Sequence, residues 1–356
     1  MCPSRADKKR PTVSFNKVLE QFNLEQFHFG KVGLVETLFR IKHLNGGESS
    51  IIINNSPYER CHSLMVYELE KRFPQMLTVD ALRSAFEVAL MSSHPGFRML
   101  YNGICACASV NHLHFQMYYT PNYALNLETW PLRNLAHNTL FKMEDDAPLP
   151  AWVVYIDEKN YADVAQRLIQ FTDLLLKQNI AHNLAVIREA ETGKLRVFLW
   201  ARKPTVGTRD YSEFHVAVTE LVGHCYYGEE EKWSSDTEIE IESELKQFAL
   251  DDQTYQTLSN ELARLMDPSP RGLPRVYAKR KILIDFFKNC RTRASTGRQI
   301  LKIWNFKPKI YQTDQVLAKK APKSPKMAPK IIVFEGSKNR FFLSDYFIFQ
   351  YLCSCF

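Results

Sequence analysis

Apolar residues recur at helical spacing in two long stretches of this chain. In "TVDALRSAFEVALMSS", residues 78–93, the residues Leu82, Ala85, Phe86, Ala89 and Leu90 fall at i, i+3, i+4, i+7 and i+8, one stripe of an α-helix. Thr78 or Asp80 is placed to cap its start, and His94-Pro95-Gly96 closes it. In "YADVAQRLIQFTDLLLKQ", residues 161–178, the stripe runs through Val164, Leu168, Phe171 and Leu175. Between and after the helices the pattern shortens to strands. "IIINNSPYERCHSLMVY" reads as strand, Asn-Asn-Ser-Pro turn and strand, and "FRMLYN" and "AWVVYI" are further strands. "NLAVIR" and "LRVFLWA" flank Thr192-Gly193 as a hairpin, while "YSEFHVAVTELVGH" fits helix or strand. In "SVNHLHFQMYY", residues 109–119, alternation by two puts His112, His114 and Gln116 on one face of a strand, with Leu113, Phe115 and Met117 on the other.

A helix followed by strands, twice over, predicts an α+β protein with two related halves. The pattern fails after Met266: "DPSPRGLP" is a linker, and "AKKAPKSPKMAPK" is Lys/Pro/Ala-rich low-complexity sequence. The expected organisation is a flexible N-terminus over 1–10, a catalytic region over 11–266 with halves of about 11–145 and 146–266, and a basic, mostly disordered tail over 267–356.

Charge sharpens that division. The chain of 356 residues carries +7 overall, yet residues 267–356 hold 19 Lys+Arg against 5 Asp+Glu, which leaves 27 against 34 for residues 1–266. A globular part of −7 argues against a general nucleic-acid binder. "KKAPKSPKMAPK" lacks the interleaved aromatics of a single-strand platform. The apolar end "RFFLSDYFIFQYLCSCF" is interrupted by Asp345, and Ser354 and Cys355 are poor aliphatic positions for a prenylation box, so no membrane partner is expected. The polar start "MCPSRADKKRPTVSF" and eight cysteines without a CxxC pair or regular framework suit the cytoplasm.

Three uses of the histidine strand stand open. The imidazoles can be hydrogen-bonded locally, as part-buried histidines often are. Two His at i, i+2 can share a metal, but no Asp, Glu or Cys stands at ligand spacing, so no metal and no cofactor are expected. The third use is nucleophilic catalysis at phosphorus: neutral imidazole is a good nucleophile near pH 7, and an amide donates to a phosphoryl oxygen without titrating.

His-x-His-x-Gln, within "FRMLYNGICACASVNHLHFQ", resembles the motif of the GDP-hexose phosphorylases, the transferase branch of the histidine-triad superfamily. "KRPTVSFNKVLEQFNLEQFHFGKVG", "INNSPYERCHSLMV", "IAHNLAVIR", "RVFLWARKP" and "FHVAVTELVGH" are similar to segments of that family in the same order, over about Lys9 to Met266. "SHPGF" and "LWARK" lean towards its GDP-D-glucose-acting members rather than those acting on GDP-L-galactose. The resemblance implies two histidine-triad-like halves around an antiparallel sheet with packed helices, and possible pairing of subunits. It implies that His114 takes GMP from GDP-D-glucose, releasing glucose 1-phosphate, and hands it to inorganic phosphate to give GDP. His112 would fix the site's orientation and Gln116 would donate. Asn102 and Ser109 would line ribose and phosphates, and Asn55 and His62 would belong to the nucleotide pocket. Arg202 and Lys203 are candidates for holding phosphate, although a solvated strand end suits them better. Glu220, Gly223 and His224 match an "ELxGH" motif of underived role. Where the family usually has glycine this chain has Cys61, Cys105 and Ala106, and their Cβ atoms would narrow the approach to phosphates. A hydrolase of the same superfamily, and a non-catalytic guanine-nucleotide or nucleic-acid binder, are the competing functions.

Overall fold

In a computed structural model of the chain, the described residues are 14–268 except 58, 121–122, 145, 209–213 and 226–233, together with Lys309–Ile310 and Ile332–Val333. The two last segments form a short antiparallel pair. Beyond Asp267 and Pro268, the rest of the expected tail lies outside the described residues.

Strands β2 (Thr37–Lys42), β3 (Glu48–Ile53) and β4 (Arg60–Tyr67) lead into α1 (Val79–Met91), followed by β5 (Phe97–Asn102) and β6 (His114–Tyr119). The same order then recurs: β7 (Leu132–Ala136), β8 (Leu140–Met143) and β9 (Trp152–Ile156), α2 (Tyr161–Lys177), β10 (Ala181–Arg188) and β11 (Leu195–Arg202). All ten strands join one antiparallel sheet, ordered β2-β3-β4-β6-β5-β10-β11-β9-β8-β7. Numbered within its own half, each set of five reads 1-2-3-5-4. The halves meet along β5 and β10, from Asn102↔Asn183 to Arg98↔Ile187. In each half the helix carries the chain across one face and leaves a one-strand gap, which the fifth strand fills. β6, bearing the histidines, therefore lies between β4 and β5 rather than at an edge.

The helix stripes do what their spacing predicts. Thr78 caps α1 by accepting from the Ala81 N–H (3.2 Å), and Leu82, Ala85, Phe86 and Ala89 are buried. Val164, Leu168, Phe171 and Leu175 of α2 are buried against the same sheet face. That face also receives α5 (Asp252–Met266), where Tyr255 stacks on Trp152 at 4.7 Å and Ser259 accepts from the Trp152 indole (2.9 Å). The opposite face is covered by residues 125–130 and 147–149, by α3 (Val218–Leu221) and by α4 (Glu238–Gln247). The ambiguous "YSEFHVAVTELVGH" thus resolves, over its described part, into a short helix. Within it, Glu220 accepts from the Ala217 N–H (3.0 Å) and Gly223 takes the left-handed turn (φ +84°) that stops it. A two-residue pair, β1 (Ser14–Phe15) with β12 (Gly207–Thr208), completes the described strands.

Candidate active site

The alternation of "SVNHLHFQMYY" holds only from its middle. Leu113, Phe115 and Met117 enter the helix-side core as expected, but β6 begins at His114, and His112 lies in the loop before it. His112 is fully buried, stacked on Phe29 at 5.6 Å and edge-on to Phe22 at 5.4 Å. Its Nδ1 accepts from the Phe29 N–H (3.1 Å), which places its proton on Nε2. Burial pushes its pKa down to about 3, helped by the neighbouring His114.

His114 is held differently. Its Nδ1–H donates to the His112 carbonyl (2.8 Å) and to Gln75 Oε1 (2.9 Å). Both neighbours are acceptors, so Nδ1 carries the proton and Nε2 keeps the lone pair. Burial pushes the pKa down to about 4, partly opposed by the His112 carbonyl, and the ring is neutral at pH 7. A neutral imidazole with one nitrogen committed and the other basic is a nucleophile.

Two strands of the first half supply the polar neighbours. His62 on β4 sets its Nε2 3.1 Å from Gln116 Oε1 on β6. Asn54 Nδ2 lies 2.7 Å from the same His62 nitrogen, and its own Oδ1 accepts from the Ser56 N–H, so the turn 54–57 leans on this pair. His62 is pushed down to about 3, chiefly by burial. Asn102, ending β5, commits its Oδ1 to Asn183 Nδ2 (2.7 Å) and to the Val218 N–H of α3 (2.8 Å). Its Nδ2 is its remaining donor. The structure therefore brings His112, His114, Gln116 and His62 together and ties Asn102 to His114 through Gln75. Ser109 is half-buried in the loop before His112, and Asn55 has a buried, unpartnered Oδ1 in the β3–β4 turn.

One expectation is overturned. Arg202 is not a solvated strand end: it is fully buried, donates to the Val216 carbonyl and to Thr205 Oγ1 (2.9 Å), and lies 4.0 Å over the Phe248 ring. Its carbonyl and hydroxyl partners tie β11 to Thr205 and Val216. Lys203 is exposed. Sequence reasoning missed Gln75, Phe29 and Asn183, none of which carries a periodic or spacing signal. The missing glycines did leave a mark, since Cys61 (φ +59°) and Cys105 (φ +57°) are both left-handed, the region that favours glycine.

Two family models cover this architecture: "GDPGP1-like, N-terminal domain" matches residues 1–118, and "GDPGP1-like, C-terminal domain" matches residues 125–268. The chain belongs to the GDPGP1-like family. It is 33% identical over 274 residues to a Danio rerio protein named GDP-D-glucose phosphorylase 1, covering 74% of this chain and 79% of that one. A Homo sapiens protein of the same name is 33% identical over 280 residues, covering 74% and 72%. GDP-L-galactose phosphorylase 2 of Arabidopsis thaliana is 27% identical over 280 residues, covering 71% and 64%. Family membership fits the geometry: the first family model ends two residues beyond Gln116, on the strand that carries His114.

Proposed function

We propose that this chain is a phosphate-dependent nucleotidyltransferase that converts GDP-D-glucose and inorganic phosphate into GDP and glucose 1-phosphate. In the first step Nε2 of His114 forms a bond to the α-phosphorus, the bond to the bridging oxygen breaks, and glucose 1-phosphate leaves with that electron pair. In the second step a phosphate oxygen attacks the same phosphorus and the N–P bond breaks, releasing GDP and returning the ring to its neutral form. Neither step needs an added proton, since glucose 1-phosphate departs as a stable anion, phosphate arrives already ionised and the imidazole departs neutral with its Nδ1 proton, so a glutamine suffices where an acid would otherwise stand. Gln116 donates to a phosphoryl oxygen from beside His62. Asn102, through Nδ2, with Ser109, Asn55 and His62, lines the nucleotide.

The observation that carries this reading is the committed Nδ1 of His114, because it leaves a neutral ring with its lone pair on Nε2. We place the catalytic region at 11–266, with the chemistry in the first half, and allow for pairing of subunits. Substrates this charged do not cross membranes unaided, which suits a cytoplasmic enzyme. The test is product analysis with GDP-D-glucose, GDP-L-galactose and other GDP-hexoses, each with and without phosphate. GDP and glucose 1-phosphate, formed only with phosphate and fastest from GDP-D-glucose, are expected. GMP formed without phosphate would make the chain a hydrolase, and preference for GDP-L-galactose would change the sugar.

A further inference from the structure

Gln75 lies in the irregular segment that precedes α1, and it is buried. Its amide is saturated. Oε1 accepts from the His114 main-chain N–H (2.9 Å) and from His114 Nδ1–H (2.9 Å). Nε2 donates to the Asn102 carbonyl (2.8 Å) and to the His114 carbonyl (3.1 Å). Two donors on one side and two acceptors on the other allow a single amide orientation, because the flipped form would set like against like at all four contacts. The residue's own main chain is anchored separately: its N–H donates to Asn111 Oδ1 (2.8 Å), and its carbonyl accepts from the Tyr101 hydroxyl (3.0 Å).

The placement explains the saturation. β5 and β6 are paired from Phe97↔Tyr119 to Leu100↔Gln116, and two positions further in that register a rung would join Asn102 to His114. The strands part there, which would leave main-chain groups of a buried site unpaired, at about 1–3 kcal/mol each. The Gln75 amide occupies the place of the rung.

We propose that Gln75 is a positioning residue for the nucleophile, standing in for the missing rung at His114 and sharing the Nδ1 proton with the His112 carbonyl, so that the ring is held from two sides with Nε2 free to react. The inference rests on His114 being the nucleophile. Once Nε2 is bonded to phosphorus, the ring is still protonated at Nδ1 and gains positive charge, and the two oxygens at Nδ1 are placed to meet it. Gln75 touches neither substrate nor phosphate; it acts through His114.

The test is Gln75→Met, close in size but without donor or acceptor, with Gln75→Glu alongside, which keeps an acceptor at Nδ1 and gives up the donors. Two readouts are needed: steady-state kinetics with GDP-D-glucose and phosphate, and isotope-edited NMR of the His114 imidazole nitrogens without substrate. Gln75→Met is expected to lower kcat about 10- to 100-fold with KM changed less than about threefold, and to turn a single Nδ1-protonated tautomer into a mixture. Gln75→Glu is expected to recover at least about threefold of that loss and to keep the tautomer. An unchanged tautomer in Gln75→Met, or a kcat within about threefold of the parent, overturns the proposal. If Gln75→Met does not fold, the tautomer of Gln75→Glu decides, and a mixture there overturns it. The NMR readout involves no turnover, so failure of the phosphorylase reading and failure of this one are separable.

Discussion

The two halves of the sheet share strand order and helix placement but spend the start of the fifth strand differently. In the first half the face of β6 turned from the helices carries His114, Gln116 and Tyr118. In the second half the same face of β11 carries Arg196, Phe198 and Trp200. Arg196 is buried and engaged through both terminal nitrogens: it pairs with Glu189, donates to the carbonyls of Leu127 (3.2 Å) and Trp130 (3.1 Å), and lies 5.8 Å from the Tyr155 ring centre. A cavity of about 560 Å³ opens beside it, lined by Trp130, Tyr155 and Glu189 among others. A guanidinium so placed has no lone pair to offer and closes the 127–130 segment onto the sheet. An imidazole in the first half is buried without a counter-ion, stays neutral, and keeps a nucleophilic nitrogen. The same scaffold carries the proposed reactive site where the buried base is neutral, and a structural lock where it is charged and paired.

The largest expected effect separates the halves outright. His114→Ala should lower phosphorolysis by about 10⁴-fold or more, whereas Arg196→Met should leave kcat within about threefold, both read at saturating GDP-D-glucose and phosphate. Equal losses in the two variants would erase the distinction.

A pH series sharpens it next. Burial pushes His62 and His112 down to about 3 and His114 and His182 down to about 4, against an ordinary value near 6.5. Below pH 6.5 the unfolded chain therefore binds more protons than the folded one, and stability present above that pH is lost as pH falls towards 4. Denaturant melts should show a loss on the order of 1 kcal/mol per histidine for each pH unit below 6.5. A chain more stable at pH 5 than at pH 7 would contradict the buried, neutral assignment. GMP transfer to the enzyme, by contrast, should hold its rate between about pH 5.5 and 7.5, since His114 is already deprotonated throughout.

Smaller still, Arg196→Met should cost about 3 kcal/mol of stability by leaving Glu189 without its buried partner, which denaturant unfolding reads directly. Smallest is Cys105→Gly. Relief of a left-handed residue, about 1 kcal/mol, offsets the lost burial of a small side chain, so the net should lie within about 1 kcal/mol. A more than tenfold rise in kcat would mean that the Cβ obstructs phosphate after all.

The sequence made the helices legible because their stripes extend over three or more turns, and it made β4, β5, β9, β10 and β11 legible because each contains an unbroken apolar run of three to five residues. It gave less warning of β7 and β8, short strands at the far edge with mixed exposure, in which Arg133 and Asn134 face solvent. His114 and Gln116 stood out through their shared motif. The period of two overreached at His112, where the loop turns the imidazole into an aromatic nest built by Phe22 and Phe29, more than eighty residues upstream. Gln75 left no trace in the pattern: its partners His114 and Asn102 are 39 and 27 residues away, and a lone glutamine after proline reads as a surface loop. Arg202 misled for a related reason, since a charged residue at a strand end is buried only when distant carbonyls, here that of Val216, come to meet it.

The most direct measurement of the central claim is the intact mass of the protein after mixing with GDP-D-glucose in the absence of phosphate. The account predicts one added GMP, discharged as GDP when phosphate is supplied, and absent from His114→Ala. An unlabelled wild-type protein that still turns over the sugar nucleotide, or a label that survives in His114→Ala, would contradict it.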